Sequence, residues 1–189
     1  DTRNQKFQTT AGSRSRYFLD LPLISETATI QNTYTFKTFS ELYENNVSSL
    51  SFLLQSALSL KDEDIKLSER IIIPPSRLRG FERGKIGPKD GDDFIGGNYA
   101  ASINFSSTIP QILENSQNID FLFFIDIANL WGVDYFKGED EGSKIRSSIG
   151  VGMDWMTPVG PLTFSLSEAI TKSDTDVTES FRFNIGTTF

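Results

Sequence analysis

Large apolar residues recur at every second position in runs of about ten residues, and segments rich in Gly, Pro, Asn, Asp and Ser separate the runs. That is the signature of antiparallel strands joined by turns. In the last run Phe181, Phe183, Ile185 and Phe189 share one face, opposite Arg182, Asn184, Gly186 and Thr188. Just before it, Leu162, Phe164 and Leu166 oppose Thr163, Ser165 and Ser167. Upstream, Ile145, Ile149, Val151, Met153 and Trp155 oppose Arg146, Ser148, Gly150, Gly152 and Asp154. Tyr99, Ala101, Ile103 and Phe105 oppose Ala100, Ser102, Asn104 and Ser106. Leu50, Phe52, Leu54 and Leu58 oppose Ser49, Ser51, Gln55 and Ala57, and Ile30, Tyr34 and Phe36 oppose Thr29, Gln31, Thr33 and Lys37. The pattern predicts eight strands and an all-β fold.

A soluble sandwich also alternates, so the character of the two faces decides. Here the polar face is small, largely uncharged and Gly-rich, and the apolar face is large and aromatic. That suits a transmembrane antiparallel up-and-down β-barrel, lipid outside and water inside, with Trp131, Tyr135, Trp155 and Phe189 as interfacial aromatics. Loop lengths partly agree. The tight turn at Met156-Thr-Pro-Val-Gly-Pro161 lies between an acidic loop around 137–142 and a polar loop around 171–178, and the longest connection, 61–94, falls on the external side. The short link around 22–27, also external by this count, breaks the rule.

Composition narrows the chemistry. No stretch approaches 18 consecutive apolar residues, so a transmembrane helix is excluded, while barrel strands escape that test. With no Cys and no His, disulfides, thiol chemistry, His bases and the usual zinc sets are absent, and neither an enzyme nor a cofactor is expected. A net charge of −7 argues against nucleic acid as a partner. The chain opens on a charged segment with no leader before Asp1, and is expected to be cut from something longer.

The 61–94 connection carries Ile71-Ile-Ile-Pro-Pro-Ser-Arg-Leu-Arg-Gly-Phe-Glu-Arg-Gly-Lys-Ile-Gly-Pro88. A loop this long inside a compact domain is usually functional, although a solvated surface loop is the plain alternative. It is no phosphate loop: Gly80 lies too close to Gly84-Lys85, and Ile86 stands where a Ser or Thr should be. The acidic clusters at 62–64, 90–93 and 139–141 lack calcium-loop spacing and read as external loop charge. Asp126 interrupts the apolar run 119–128 and should face the lumen, either solvated or paired with a cation.

Arg79-Gly80-Phe81, then Ile86-Gly-Pro88, then Gly96-Gly97-Asn98 opening a strand, resemble the BamA and TamA family of outer-membrane assembly proteins. The resemblance continues through Ile145-Arg-Ser-Ser, Trp155-Met-Thr-Pro and Gly160-Pro-Leu162 to Phe181-Arg-Phe-Asn-Ile-Gly-Thr-Thr-Phe189, and Asp1-Thr-Arg-Asn and Thr9-Thr-Ala-Gly12 extend it to the start. It implies that residues 1–189 are one C-terminal barrel domain, the second half of a 16-stranded barrel, without the POTRA domains and the first eight strands. It also implies that Arg79 folds into the lumen and pairs with Asp126 in Phe124-Ile-Asp-Ile-Ala128. Ala128 stands where the family prefers Gly. Ser106 stands where many members place a second carboxylate for the same Arg.

The function so implied is insertion of other barrels into the outer membrane of a Gram-negative bacterium, with no covalent step and the C-terminus periplasmic. A weakly closed seam, whose last strand spans 179–189, would template incoming strands while thinning the bilayer. The expected partners are the lipid bilayer, unfolded β-barrel clients and accessory assembly lipoproteins. The terminal Phe189 resembles the signal by which barrels are themselves recognised. Other readings are a two-partner-secretion pore, a passive structural barrel, and a barrel enzyme, which the lack of His disfavours. Half a barrel has two exposed edges, so the isolated chain is expected to close on itself as eight strands, a lumen side chains alone nearly fill.

Overall fold

A computed structural model describes residues 1–6, 9–22, 28–61, 63–110, 118–134, 143–158 and 160–186. The strands are β1 (Gly12–Asp20), β2 (Thr29–Ser40), β3 (Ser48–Ser59), β4 (Lys89–Asp90), β5 (Asp93–Phe94), β6 (Tyr99–Ile109), β7 (Ile119–Trp131), β8 (Arg146–Thr157), β9 (Gly160–Thr171) and β10 (Phe181–Ile185). Eight of them form one antiparallel sheet in the order β1-β2-β3-β6-β7-β8-β9-β10, so each strand pairs with its chain neighbours. The two-residue strands β4 and β5 make a small hairpin within the long connection between β3 and β6.

The faces follow the alternation. Leu54, Leu58, Ile103, Ile125, Ile127, Ile149, Val151 and Leu166 project outward and are exposed, while Ser51, Ala57, Ala100, Ser102, Asn104, Asp126, Ala128 and Ser148 turn inward and are buried. An outer face of that composition suits hydrocarbon rather than water. Tyr99 stacks on Trp131 at one end of the strands, with ring centroids 5.9 Å apart, and Trp155 lies towards the other end of β8. Tyr135 and Phe189 lie outside the described residues, as do positions 23–27 of the short link.

Three expectations need correction. First, the eight strands do not close on themselves: among the described residues, β1 and β10 form the two outer edges of an open sheet. The reason is on the inner face, where the long connection packs, and an eight-stranded barrel has room there only for side chains. Second, that connection is no solvated surface loop. Ile65, Ile71, Ile73, Leu78, Phe81 and Ile86 form a buried cluster against Ala57, Ala100, Ala128 and Leu130 of the inner wall, and Leu53 also turns inward. Small wall residues leave the space, and burying this apolar surface drives the loop in. Third, the last strand starts later than 179: its described ladder runs from Phe181 to Ile185, Gly186 follows with φ at 114°, and positions 187–189 lie outside the described residues.

Candidate functional site

The site begins with register. Asp126 lies opposite Asn104 of β6 on one side and opposite Ser148 of β8 on the other, and Asn104 in turn faces Ser51 of β3. One hydrogen-bonded row therefore carries these polar groups across the inner wall. The long connection reaches this row through a single 3₁₀ turn at Pro75–Arg77, after which Gly80 takes φ 89°. That left-handed conformation is open to glycine and strained for other residues, and a Cβ there would stand 3.1 Å from the Cβ of Ser148. Gly80 thus lets the tip turn flat against the wall and present Arg79 to Asp126.

Arg79 donates from Nε to Asp126 Oδ2 at 2.7 Å and from Nη2 to Oδ1 at 2.8 Å, and its backbone N–H donates to Oδ2 at 3.1 Å. The guanidinium carbon lies 3.3 Å from the centre of the Phe124 ring. Phe124 in turn packs over Gly150, where a Cβ would collide with the ring at 2.5 Å. Asp126 and Phe124 are fully buried. A forked contact, a stacked ring and a dry carboxylate fix the loop tip in orientation as well as position.

Asn104 completes the network. Its Nδ2 donates to Asp126 Oδ1 at 2.9 Å and to the Arg77 carbonyl at 2.7 Å, while Arg77 Nη1 donates to Ser51 Oγ at 2.9 Å and to Asn104 Oδ1 at 3.3 Å. Burial lowers the Arg77 pKa, and the nearby Asp126 carboxylate opposes that shift. Ser106, at the position expected for a second carboxylate, turns its hydroxyl to Ser49 Oγ at 2.9 Å. The third member of the network is therefore the neutral Asn104, supported by Arg77; neither had been singled out from the sequence. The available signal was Asn104's place on the polar face of β6.

Two further attachments hold the loop. At its C-terminal end Gly97 exchanges backbone hydrogen bonds with Ile71 at 2.8 and 3.0 Å, and a Cβ on Gly97 would meet the Trp131 carbonyl at 2.7 Å. Gly96 takes φ 71° beside it, and Asn98 donates its Nδ2 to Asp134, whose other oxygen accepts the Ile65 N–H at 3.0 Å. The Gly96-Gly97-Asn98 motif thus closes the base of the loop. At the tip, Phe81 bridges to Thr178, and the Glu179 N–H donates to the Gly80 carbonyl at 3.1 Å.

A second ion pair escaped sequence reasoning. Arg146 Nε donates to Asp176 Oδ2 at 2.8 Å with both side chains fully buried, and Asp176 Oδ2 also accepts the Ser173 N–H at 2.6 Å. This pair holds the β9–β10 connection to the start of β8. Of the C-terminal residues, Phe181, Phe183 and Ile185 all point outward and are exposed, Ile185 by 70%, and the rings of Phe183 and Phe164 pack 4.8 Å apart. They lie away from the lock, on the sheet edge.

A family model described as the Omp85 superfamily domain matches residues 1–189. The chain is similar to the outer membrane protein assembly factor BamA of Neorickettsia risticii, 30% identical over 117 residues, covering 60% of this chain and 16% of that protein. It is 25% identical over 139 residues to BamA of Neisseria meningitidis serogroup B, covering 59% and 17%. A SAM50-like protein of Schizosaccharomyces pombe is 30% identical over 138 residues, covering 67% and 28%. The crystal structure of BamA from Haemophilus ducreyi lacking POTRA domains 1-3 superposes with a TM-score of 0.84 at 26% identity, over 97% of this chain and 40% of that one. The chain thus spans 16–17% of the length of the two BamA relatives.

Proposed function

Because the chain belongs to the Omp85 superfamily, we propose that it is the seam-bearing C-terminal part of an outer-membrane barrel that inserts other β-barrel proteins into that membrane. The observation that carries this reading is a last strand that, among the described residues, has a hydrogen-bonded neighbour on one side, beside a loop locked to the inner wall. An edge strand presents unpaired N–H and C=O groups to any strand of matching register, and a client hairpin can add there by β-augmentation. The work is strand exchange without covalent chemistry: the client gains backbone hydrogen bonds that it could not satisfy alone in lipid.

The lock supplies rigidity. With Arg79 held by Asp126, the loop covers the inner face of the central strands and leaves the outer edges at β1 and β10. A translocation pore is less well supported, because the buried cluster occupies the inner wall that a cargo would cross. The setting is the outer membrane of a Gram-negative bacterium, with the C-terminus on the periplasmic side, unfolded barrel proteins as clients and accessory lipoproteins as partners.

The test uses the complete barrel with a cysteine replacing Asn184 and a stalled client carrying a cysteine in its own terminal strand. The reading expects a disulfide between them, and Arg79→Ala should lower assembly of a reporter barrel about tenfold or more, given the loss of two charge-assisted bonds. A client that never crosslinks to β10 would overturn it.

A further inference from the structure

The last strand contributes one inward-facing cation, Arg182, and the loop tip lies against it. Arg182 Nη1 donates to the Pro75 carbonyl at 2.8 Å and Nη2 donates to the Phe81 carbonyl. Nε and Nη2 also reach Glu179 Oε2, at 3.0 and 2.7 Å. The Arg182 side chain is 9% exposed, so its desolvation is offset through these contacts. Pro75 and Phe81 flank the tip, one on each side of Arg79. A single guanidinium therefore holds the backbone entering and leaving the turn that presents the lock to Asp126.

An arginine pointing into a watery lumen would need no such partners. Neutralising Arg182 would take only Glu179, three residues away. The two loop carbonyls add what charge balance does not require, a planar fork that fits the tip in one orientation. Among the described residues the ladder between β10 and β9 runs from Phe181 to Ile185, with flanking bonds from the Ser167 N–H to the Ser180 carbonyl and from the Gly186 N–H to the Pro161 carbonyl, and the clasp adds a side-chain tie from this strand to the loop.

We infer that Arg182 is a positioning residue that clasps the seam strand β10 to the tip of the lumenal loop, coupling the edge offered to a client to the Arg79–Asp126 lock. The inference rests on the assembly reading for its purpose, although the clasp itself is a matter of geometry. Loosening it would leave the edge tied to the tip through the backbone contacts of 177–179, which precede the strand, and so let β10 itself shift against the lock.

Pulsed electron paramagnetic resonance on the complete barrel tests this, with spin labels on cysteines replacing Glu82 and Asn184, and a control pair at Glu82 and Ile127. Residues 1–189 contribute no native cysteine. In Arg182→Ala the Glu82–Asn184 distances should broaden and gain a second population, a shift of about tenfold or more in the ratio of states. The Glu82–Ile127 distances should stay as they are. Arg182→Lys keeps the charge but cannot span both carbonyls, and should behave like the alanine variant. Unchanged Glu82–Asn184 distances in either variant would overturn the clasp, and broadening of both pairs would reduce Arg182 to a general support of the fold. A clasp seen by resonance together with no client crosslink at Asn184 would sink the assembly reading and leave the clasp standing.

Discussion

β7 runs for 13 residues with a hydrogen-bonded neighbour on each side, whereas β10 runs for 5 and, among the described residues, has a neighbour on one side only. From Phe124 onward the inner face of β7 is covered: Phe124, Asp126, Ala128 and Leu130 are buried under the loop. The side chains of β10 are mostly exposed, with that of Arg182 the nearly buried exception. One sheet thus holds a covered wall and an open edge, and the loop contacts both. Local opening follows such differences in burial and pairing, so the two regions should differ in the free energy of opening as well as in geometry.

The comparison breaks most severely at Asp126. Asp126→Ala leaves the Arg79 guanidinium against the inner wall without its carboxylate, at a cost of about 3–5 kcal/mol. Denaturant midpoints of the complete barrel in detergent should fall accordingly, and the loop should become accessible to protease. Asn104→Ala removes one donor from the buried carboxylate and one from the Arg77 carbonyl, and should lower stability by about 1.5–3 kcal/mol in the same assay. Gly80→Ala strains the left-handed turn by about 1–2 kcal/mol and should loosen the tip while the strands stay paired, a change visible as loop-specific hydrogen exchange. Ile185→Ala lies on the exposed end of the edge strand and should move the midpoint by no more than about 0.5 kcal/mol.

The strands were legible because period-2 alternation needs only the identity of each residue. The inner wall was harder to read. Ile65, Ile71, Ile73 and Ile86 suit a buried loop and a mobile one equally until the small residues Ala57, Ala100 and Ala128 are brought under them by register. The structure places Arg79 on Asp126, as the resemblance implied, but the partner expected beside them stands at Asn104, two positions from Ser106 on the same face. Only pairing with β7 singles Asn104 out, since Asp126 lies directly opposite it. Arg146 stood within a quoted motif, yet its partner Asp176 is 30 residues away in a connection whose path no local pattern fixes. The left-handed conformation of Gly186 after β10 is one that its identity permits without requiring.

The central claim is that the locked wall and the exchangeable edge coexist in one sheet. Amide hydrogen exchange of the complete barrel in a lipid bilayer, followed peptide by peptide, tests it most directly. The account predicts strong protection across 99–109 and 119–131 and in the loop tip at 77–81, with rapid exchange across 181–185. Equal, slow exchange in β7 and β10 would contradict it, because an edge that opens no more readily than the wall could not hand its hydrogen bonds to an incoming strand.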